Sequence, residues 1–319
     1  MNDNITPYVR YIGADDKDLD LFESQYVVPQ GISYNSYVIT DEKIAVMDTI
    51  DQRKTEEWTV RLEEALEGRT PDYLIVQHME PDHAANIGWF AEKYPEATIV
   101  ASAKAIQMMP QFFEEVNFAG RTQTVKEGDT LCLGQHTLKF IMAPMVHWPE
   151  VMLTYEESEK ILFSADAFGK FGALCHEGEW IDEARRYYFN IVGKYGAQVQ
   201  ALLKKAAGLD IAMICPLHGP VLKENLGYYI GLYDTWSKYE PETEGVVVAY
   251  ASIHGNTAAA ARRMAEILSE KGAAEVMLID LCRDDMALAV ESAFRYSKMI
   301  VAASSYDAGV FPPMFDFLH

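Results

Sequence analysis

A run of metal-ligand side chains after a short apolar stretch constrains the fold more than any other feature of the sequence. Tyr73 to Val76 reads as a buried strand, and His78, Glu80, Asp82 and His83 follow it closely. A strand that ends in closely spaced imidazole and carboxylate groups presents them on a turn at the edge of a sheet, where they suit a transition metal. The chain must therefore fold so that further donors reach the same edge.

Three more donors occur where other strands are predicted to end, at His147, Asp166 and His218. Together with the first four they suffice for a two-metal site, and all seven are the predicted metal-binding and catalytic residues. Asp166 can bridge the metals through its two carboxylate oxygens, which suits ions about 3.5–4 Å apart. In the predicted allocation, Asp166 is shared, one metal takes His78, Glu80 and His147, and the other takes Asp82, His83 and His218.

The residue at position 80 indicates which metal is bound. A zinc hydrolase of this general fold favours histidine there, whereas Glu80 adds negative charge and a hard oxygen ligand, which suit iron or manganese better than zinc. The other histidines are assigned no ligand role: His136 is predicted to lie in a turn and His319 is terminal. His176 is a candidate for the wall of the pocket.

Charge and composition exclude several classes of partner. The 319 residues are enough for two domains, and the net charge of −21 argues against nucleic acid or an anionic membrane as a partner. The sequence contains no apolar run long enough to span a membrane and no secretory signal pattern at its start. Its four cysteines form no Cys-x-x-Cys pair, which excludes a rubredoxin-type iron site within this chain and predicts reduced thiols in the cytoplasm.

The order of predicted elements up to residue 244 favours an αββα sandwich as a first domain, over residues 1–244. The expected elements are a strand pair over Ser33–Asp48, a helix over Thr55–Leu66, a strand over Thr98–Ala101, short strands from Thr122 to Ser164, a long helix over Asp182–Lys205 and a strand over Ile211–Cys215.

A second domain is predicted over residues 245–319, after a polar linker from Lys238 to Gly245. Three strands alternate there with two helices, which is typical of a doubly wound parallel sheet. Only about 75 residues follow the linker, fewer than such a domain needs, so the chain is expected to be truncated. The remaining sheet would expose an unpaired edge.

The loop after the first strand of this second domain is predicted to hold a phosphate. It contains Ser252, Ile253, His254, Gly255, Asn256 and Thr257. Hydroxyl groups, a glycine and the amides of a helix start can cradle a phosphate dianion, and the lack of Lys and Arg favours a monoester over a triphosphate. After the third strand, Ser305, Tyr306 and Asp307 form a second loop, where the tyrosine can stack on a planar ring.

These motifs together resemble those of the flavodiiron proteins, also called A-type flavoproteins. The family pattern His-x-Glu-x-Asp-His, followed by a distant His, Asp and His, is met by the seven predicted ligands, and His147-Trp148-Pro149-Glu150 is similar to the family's flanking sequence. The resemblance covers essentially the whole chain and implies a metallo-β-lactamase-like domain over residues 1–244, followed by a flavodoxin-like domain over residues 245–319 that, being truncated, would bind FMN weakly. It implies a di-iron centre that reduces O₂ to water or NO to N₂O, with the histidine at position 83 not always a ligand.

The resemblance also implies FMN, with its phosphate near Ser252, His254, Asn256 and Thr257 and its ring near Ser305, Tyr306 and Asp307. Family members form head-to-tail homodimers or dimers of dimers, so that the flavin of one subunit lies beside the irons of the other. A separate rubredoxin or a reduced deazaflavin is the implied electron donor.

Two alternatives to gas reduction stay open at the level of sequence. One is a hydrolase of the metallo-β-lactamase or glyoxalase II type, which uses a metal-bound hydroxide. The other is a non-catalytic electron carrier or oxygen sensor. The sequence does not distinguish O₂ from NO, because both are small and neutral. Trp148 and Tyr195 are candidates for shaping the pocket in either case.

Overall fold

The computed structural model describes residues 4–176 and 178–319, and three sheets organise this part of the chain. The strands are β1 (Val9–Tyr11), β2 (Ala14–Asp16), β3 (Leu21–Phe22), β4 (Tyr26–Val27), β5 (Ile32–Tyr34), β6 (Tyr37–Thr40), β7 (Ile44–Met47), β8 (Tyr73–Val76), β9 (Thr98–Ser102), β10 (Thr122–Val125), β11 (Thr130–Cys132), β12 (Thr137–Met142), β13 (Met152–Glu156), β14 (Ile161–Phe163), β15 (Met213–Cys215), β16 (Thr243–Ala251), β17 (Val276–Asp280), β18 (Tyr296–Ala303), β19 (Ser305–Tyr306) and β20 (Gly309–Val310). The α-helices are α1 (Thr55–Leu66), α2 (Pro81–Ala84), α3 (Ile87–Lys93), α4 (Ala103–Phe112), α5 (Trp180–Tyr187), α6 (Gly196–Ala206), α7 (Leu226–Ser237), α8 (Asn256–Glu270), α9 (Met286–Arg295) and α10 (Pro312–Leu318).

The first sheet has the strand order β1-β6-β7-β8-β9-β10. The hairpin of β6 and β7 confirms the strand pair predicted from Ser33 to Asp48, and the strands from β7 to β10 run parallel. Helix α1 buries Trp58, Leu62 and Leu66, the residues whose helical spacing predicted it.

The second sheet has the order β11-β12-β13-β14-β15 and packs face to face with the first. Side chains from both sheets, among them Ile75, Val100, Phe140 and Phe163, form the core between them. A larger core joins the outer faces of the sheets to the helices. This layering is the predicted αββα sandwich.

The predicted continuous helix over Asp182–Lys205 is wrong. Helix α5 ends at Tyr187, a π-helical turn spans Tyr188–Val192, a short 3₁₀ turn covers Gly193–Tyr195, and α6 then begins. The apolar periodicity continues through these turns, so the sequence pattern alone does not reveal the break.

The third sheet has the order β17-β16-β18 with all strands parallel, as predicted for a doubly wound domain. The predicted linker is partly wrong, because β16 already begins at Thr243 and the side chain of Glu242 is ion-paired with Arg185. None of the helices in the described ranges has the length and apolarity needed to cross a lipid bilayer.

Candidate metal centre

The seven predicted ligands converge at one edge of the sandwich. His78 follows β8, and Asp166 and His218 follow the neighbouring parallel strands β14 and β15, so these segments end on the same side. Helix α2 begins with Pro81, whose fixed backbone angle suits the first helical position, and this single turn carries Asp82 and His83. His147 comes from the loop between β12 and β13. All seven are buried except Glu80, which is half-buried.

One cluster contains His78, Glu80, His147 and Asp166. The Nε2 atoms of His78 and His147 each lie 3.1 Å from Oδ2 of Asp166, and 3.3 and 3.1 Å from Oε2 of Glu80. Donor atoms bound at about 2.0–2.2 Å to one metal lie about 3 Å apart when at right angles, so these separations suit a shared ion.

The second cluster contains Asp82, His83 and His218. Nε2 of His83 lies 3.1 Å from Nε2 of His218 and 3.2 Å from Oδ2 of Asp82. The other oxygen of Asp166, Oδ1, lies 3.2 Å from Nε2 of His83. Asp166 therefore faces both clusters, one with each oxygen. This arrangement matches the predicted allocation of donors, whose role as ligands stays a prediction.

Two buried carboxylates lack hydrogen-bond donors from the surrounding protein. Among the described residues, none outside the two clusters donates a hydrogen bond to either oxygen of Asp82 or Asp166, although all four atoms are buried. Burying ionised oxygens without donors costs several kcal/mol per group unless a cation lies beside them. The donor set and its spacing thus fit two divalent metal ions.

The ligand imidazoles differ in what holds their other ring nitrogen. Nδ1 of His78 lies 2.8 Å from Oε1 of Glu150, which also accepts the Met79 N–H at 2.9 Å. Nδ1 of His218 donates to the Ser33 carbonyl at 2.7 Å. In both rings Nε2 is thereby left to face the cluster. Nδ1 of His83 has no hydrogen-bond partner among the described residues. The role of Glu150 is absent from the sequence predictions, because only the fold brings it against His78.

When no metal is bound, protons on imidazole and carboxyl groups offset the negative charge of the clusters. Burial lowers the pKa of His78, but the nearby Asp166 carboxylate outweighs it and holds that pKa well above its usual value. The pKa of His147 rises to about 9, because its contacts with Asp166 and Glu80 outweigh burial. Burial raises the pKa of Asp82 to about 7, whereas it lowers that of His218. Metal binding must therefore displace protons from His78, His147 and Asp82.

A cavity of about 410 Å³ opens beside His147, and the predicted pocket residues Trp148 and Tyr195 line it. Glu23 lies on its rim, and although this side chain reaches solvent, its partial burial and the Glu80 carboxylate raise its pKa to about 7. Glu23 precedes the motif by some 55 residues in sequence, so no local pattern marks it. His176 is exposed and does not line this cavity.

His136 and His319 lie away from the clusters. His136 is buried in the turn between β11 and β12, as predicted, and its Nδ1 lies 2.8 Å from Asp41. His319 ends the chain and its ring lies against that of Phe315.

The two predicted flavin loops lie together at the carboxyl edge of the third sheet. The loop of Ser252 to Thr257 leads into the 15-residue helix α8, whose first turn has no acidic residue. Gly255 has a φ of 89°, which glycine adopts without strain, and the hydroxyls of Thr257 and Ser304 are 3.0 Å apart. Tyr306 is 54% exposed. An open helix start flanked by hydroxyls fits a phosphate monoester.

A family model described as the ODP family beta lactamase matches residues 32–219. An uncharacterised protein of Methanocaldococcus jannaschii is 31% identical over 97% of this chain and 79% of its own length. An anaerobic nitric oxide reductase flavorubredoxin of Aliivibrio fischeri is 30% identical over 98% of this chain, which spans only 65% of that protein.

Solved structures show the same architecture over the whole chain. The flavodiiron protein of Giardia intestinalis has a TM-score of 0.92 and 27% identity, with 100% of this chain and 79% of that chain covered. The rubredoxin oxygen:oxidoreductase of Desulfovibrio gigas has a TM-score of 0.92 and 27% identity, with 99% of this chain and 80% of that chain covered.

Proposed function

Since the chain belongs to the flavodiiron protein family, we propose that it is an oxidoreductase that reduces O₂ to water, NO to N₂O, or both, with electrons from FMN. The observation that carries this proposal is the position of Asp166. Its two oxygens face two separate groups of imidazole and carboxylate donors at 3.1–3.2 Å, as a carboxylate that bridges two metals must.

The seven buried donors would hold two iron ions, His78, Glu80 and His147 on one side of Asp166 and Asp82, His83 and His218 on the other. Bound there, paired iron ions supply one-electron redox chemistry and open positions for a diatomic molecule. The mixed donor set also discriminates among metals, because Glu80 and Asp82 add two carboxylates to the shared Asp166 and so favour iron over zinc.

The chain must also supply protons. One O₂ takes up four electrons and four protons to give two waters, and two NO take up two electrons and two protons to give N₂O and one water. Glu23 lines the cavity beside His147, and its carboxyl, whose pKa is raised to about 7 by partial burial and the Glu80 carboxylate, can carry protons from solvent. The flanking Trp148 and Tyr195 restrict the opening.

The two loops of the third sheet would hold FMN. Ser252, Thr257 and the start of α8 would hold the phosphate, with Ile253, His254, Gly255 and Asn256 completing that loop. Ser305, Tyr306 and Asp307, in the neighbouring loop, would contact the ring.

The electron donor and the assembly are further parts of the proposal. A rubredoxin, as in the name of the Desulfovibrio protein, or a reduced deazaflavin would reduce the flavin. A head-to-tail homodimer, or a dimer of two such dimers, would bring the flavin of one subunit beside the irons of the other. We expect this assembly in the cytoplasm, without nucleic acid or membrane partners.

The proposal is tested with protein reconstituted with Fe²⁺ and FMN, by elemental analysis and by consumption of O₂ and NO under an excess of reductant. We expect two irons per chain and multiple turnovers with at least one gas. Asp166→Ala should lose both the iron and the gas consumption, whereas Glu64→Ala, which removes an exposed carboxylate of α1, should lose neither.

The alternatives give different results in the same experiment. A hydrolase would retain zinc without flavin and cleave esters or amides. A carrier or sensor would show flavin reduction without multiple turnovers of gas. If Asp166→Ala consumed gas as fast as the unmodified protein, the assignment of the site would be wrong.

A further inference from the structure

A second cavity, of about 350 Å³, lies between the outer face of the second sheet and helices α6 and α7. Leu162 and Ile214 of the sheet, Val199 and Leu203 of α6, and Ile230 of α7 are among the residues that line it. We call it the α6–α7 cavity. It is separate from the polar cavity beside His147, with which it shares no lining residue.

The α6–α7 cavity extends along the strands towards the metal clusters. At one end it is lined by Asp210 and Ile211, which precede β15, and at the other by Val146, Ala167 and Phe168. Val146 is bonded to the ligand His147, and Ala167 to the bridging Asp166. Because β14 and β15 are parallel and the ligands follow their carboxyl ends, this second end is the end nearest the clusters.

The lining is predominantly apolar. Among the side chains that line it, those of Asp210 and Tyr233 are polar. Asp210 is exposed at the surface and ion-paired with Lys160, and the Tyr233 hydroxyl accepts the Phe168 N–H at 2.6 Å. Apolar cavities without free polar groups stay dry and bind apolar molecules such as xenon.

We propose that the α6–α7 cavity binds the apolar diatomic substrate and conducts it from the surface to the metal centre. This inference rests on the proposed function. An organic ligand of this size would need polar groups to orient it, which the lining lacks, whereas O₂ and NO need none. Protons and water then use the polar cavity beside His147, and the gas uses a separate apolar route.

Crystals of the iron-loaded enzyme pressurised with xenon test the binding part independently of turnover. We expect anomalous scattering from xenon between Leu162, Leu203 and Ile230, and its loss in Leu203→Trp, whose larger side chain fills the cavity. Ala206→Phe fills the same cavity from its half-buried margin and serves if Leu203→Trp folds poorly. Ala201→Phe is the control, because Ala201 is exposed on the same helix and does not line the cavity.

Steady-state kinetics at varied gas concentration test the conduction part. In either filling variant the inserted side chain must move aside before gas can pass, which costs about 1 kcal/mol. This cost lowers kcat/KM for the gas about fivefold. We expect this loss in both filling variants, with kcat at saturating gas, iron content and melting temperature close to those of Ala201→Phe.

The outcomes separate the two proposals. Gas turnover without xenon in the cavity would overturn this inference and leave the proposed function standing. Xenon binding in the unmodified protein, together with unchanged kcat/KM in both filling variants, would show that the cavity does not conduct the gas. That result would also overturn this inference. An iron-loaded enzyme that consumes neither gas would refute the proposed function, and this inference with it, whatever the xenon result.

Discussion

At the residue scale, Glu150 makes His78 unlike the other ligand imidazoles. The Glu150 and His78 side chains are completely buried and their contact is 2.8 Å long, whereas His218 donates to a neutral backbone carbonyl. A carboxylate behind an imidazole fixes its orientation and raises its basicity towards a metal. A metal ion bound at His78 would therefore have the more strongly donating surroundings of the two.

Glu150→Gln should weaken iron binding at the His78 position by about 10–100-fold, as is usual when such a partner is changed. Competition with a chelator measures this affinity, and Mössbauer spectra show whether one iron signal is lost before the other. Glu156→Gln is the matched control: Glu156 is equally buried on β13 but bonds only the Ser158 and Glu159 amides. Equal affinity in Glu150→Gln and the unmodified protein would contradict the role given to Glu150.

The pKa of His147 predicts how pH affects the metal-free protein. Its folded pKa of about 9 lies above the ordinary value of 6.5, so the folded state holds a proton that the unfolded state has lost between these pH values. This contribution to stability is complete below pH 6.5 and is lost as pH rises towards 9. We expect the melting temperature of the metal-free protein to fall over this range, and to fall less in His147→Gln. A fall of the same size in the variant would show that other groups cause it.

Much of the site could be predicted at this scale, because the spacing of His78, Glu80, Asp82 and His83 is itself a ligand pattern on a strand end. Glu150 and Glu23 could not be predicted, since their roles arise from contacts across the fold. The left-handed backbone of Glu23, with a φ of 48°, has no sequence signature either.

At the scale of elements, the turns between α5 and α6 shape the cavity beside His147. Phe189, Asn190 and Ile191 of the π-helical turn and Tyr195 of the following turn line that cavity. A π-helical turn displaces side chains relative to a regular helix and is often found at functional sites. The predicted continuous helix failed here because tertiary contacts, and not local propensity, decide where the helix widens.

One of these contacts is the close approach of α6 to α7 at Gly196. A Cβ atom there would lie 2.4 Å from the Ser237 carbonyl oxygen, whereas a Cβ at Gly208 would meet nothing within 4 Å. Gly196→Ala should destabilise the fold by about 1–3 kcal/mol, because the backbone must shift. Gly208→Ala is the control and should be neutral or stabilising by up to about 1 kcal/mol. Urea unfolding measures the stability of both variants. Equal stabilities of Gly196→Ala and Gly208→Ala would mean that α6 and α7 can move apart without cost.

At the scale of the whole molecule, a buried ionic cluster joins the sandwich to the third sheet. Arg185 of α5 donates to Glu242 at 2.7 Å and to the buried Glu291 of α9 at 2.9 Å, and the rings of Phe189 and Phe294 stack at 4.7 Å. The polar composition of residues 238–245 predicted a linker, but composition does not show that Glu242 is part of this cluster. The order of strands and helices on either side was predictable, since it depends on local periodicity.

Arg185→Met should destabilise the protein by about 3–5 kcal/mol, because it leaves Glu291 buried without its cation. Lys160→Met, which removes an exposed ion pair with Asp210, should change stability by less than about 1 kcal/mol. Chemical denaturation followed by tryptophan fluorescence measures both. A loss no larger in Arg185→Met than in Lys160→Met would show that the cluster does not hold the two parts together.

We propose that Asp166 lies between two iron ions, and anomalous diffraction at the iron absorption edge from iron-reconstituted crystals would locate them. We expect two peaks about 3.5–4 Å apart, one beside His78 and His147 and one beside His83 and His218. A single peak, or no peak, in crystals shown to be loaded with iron would contradict it.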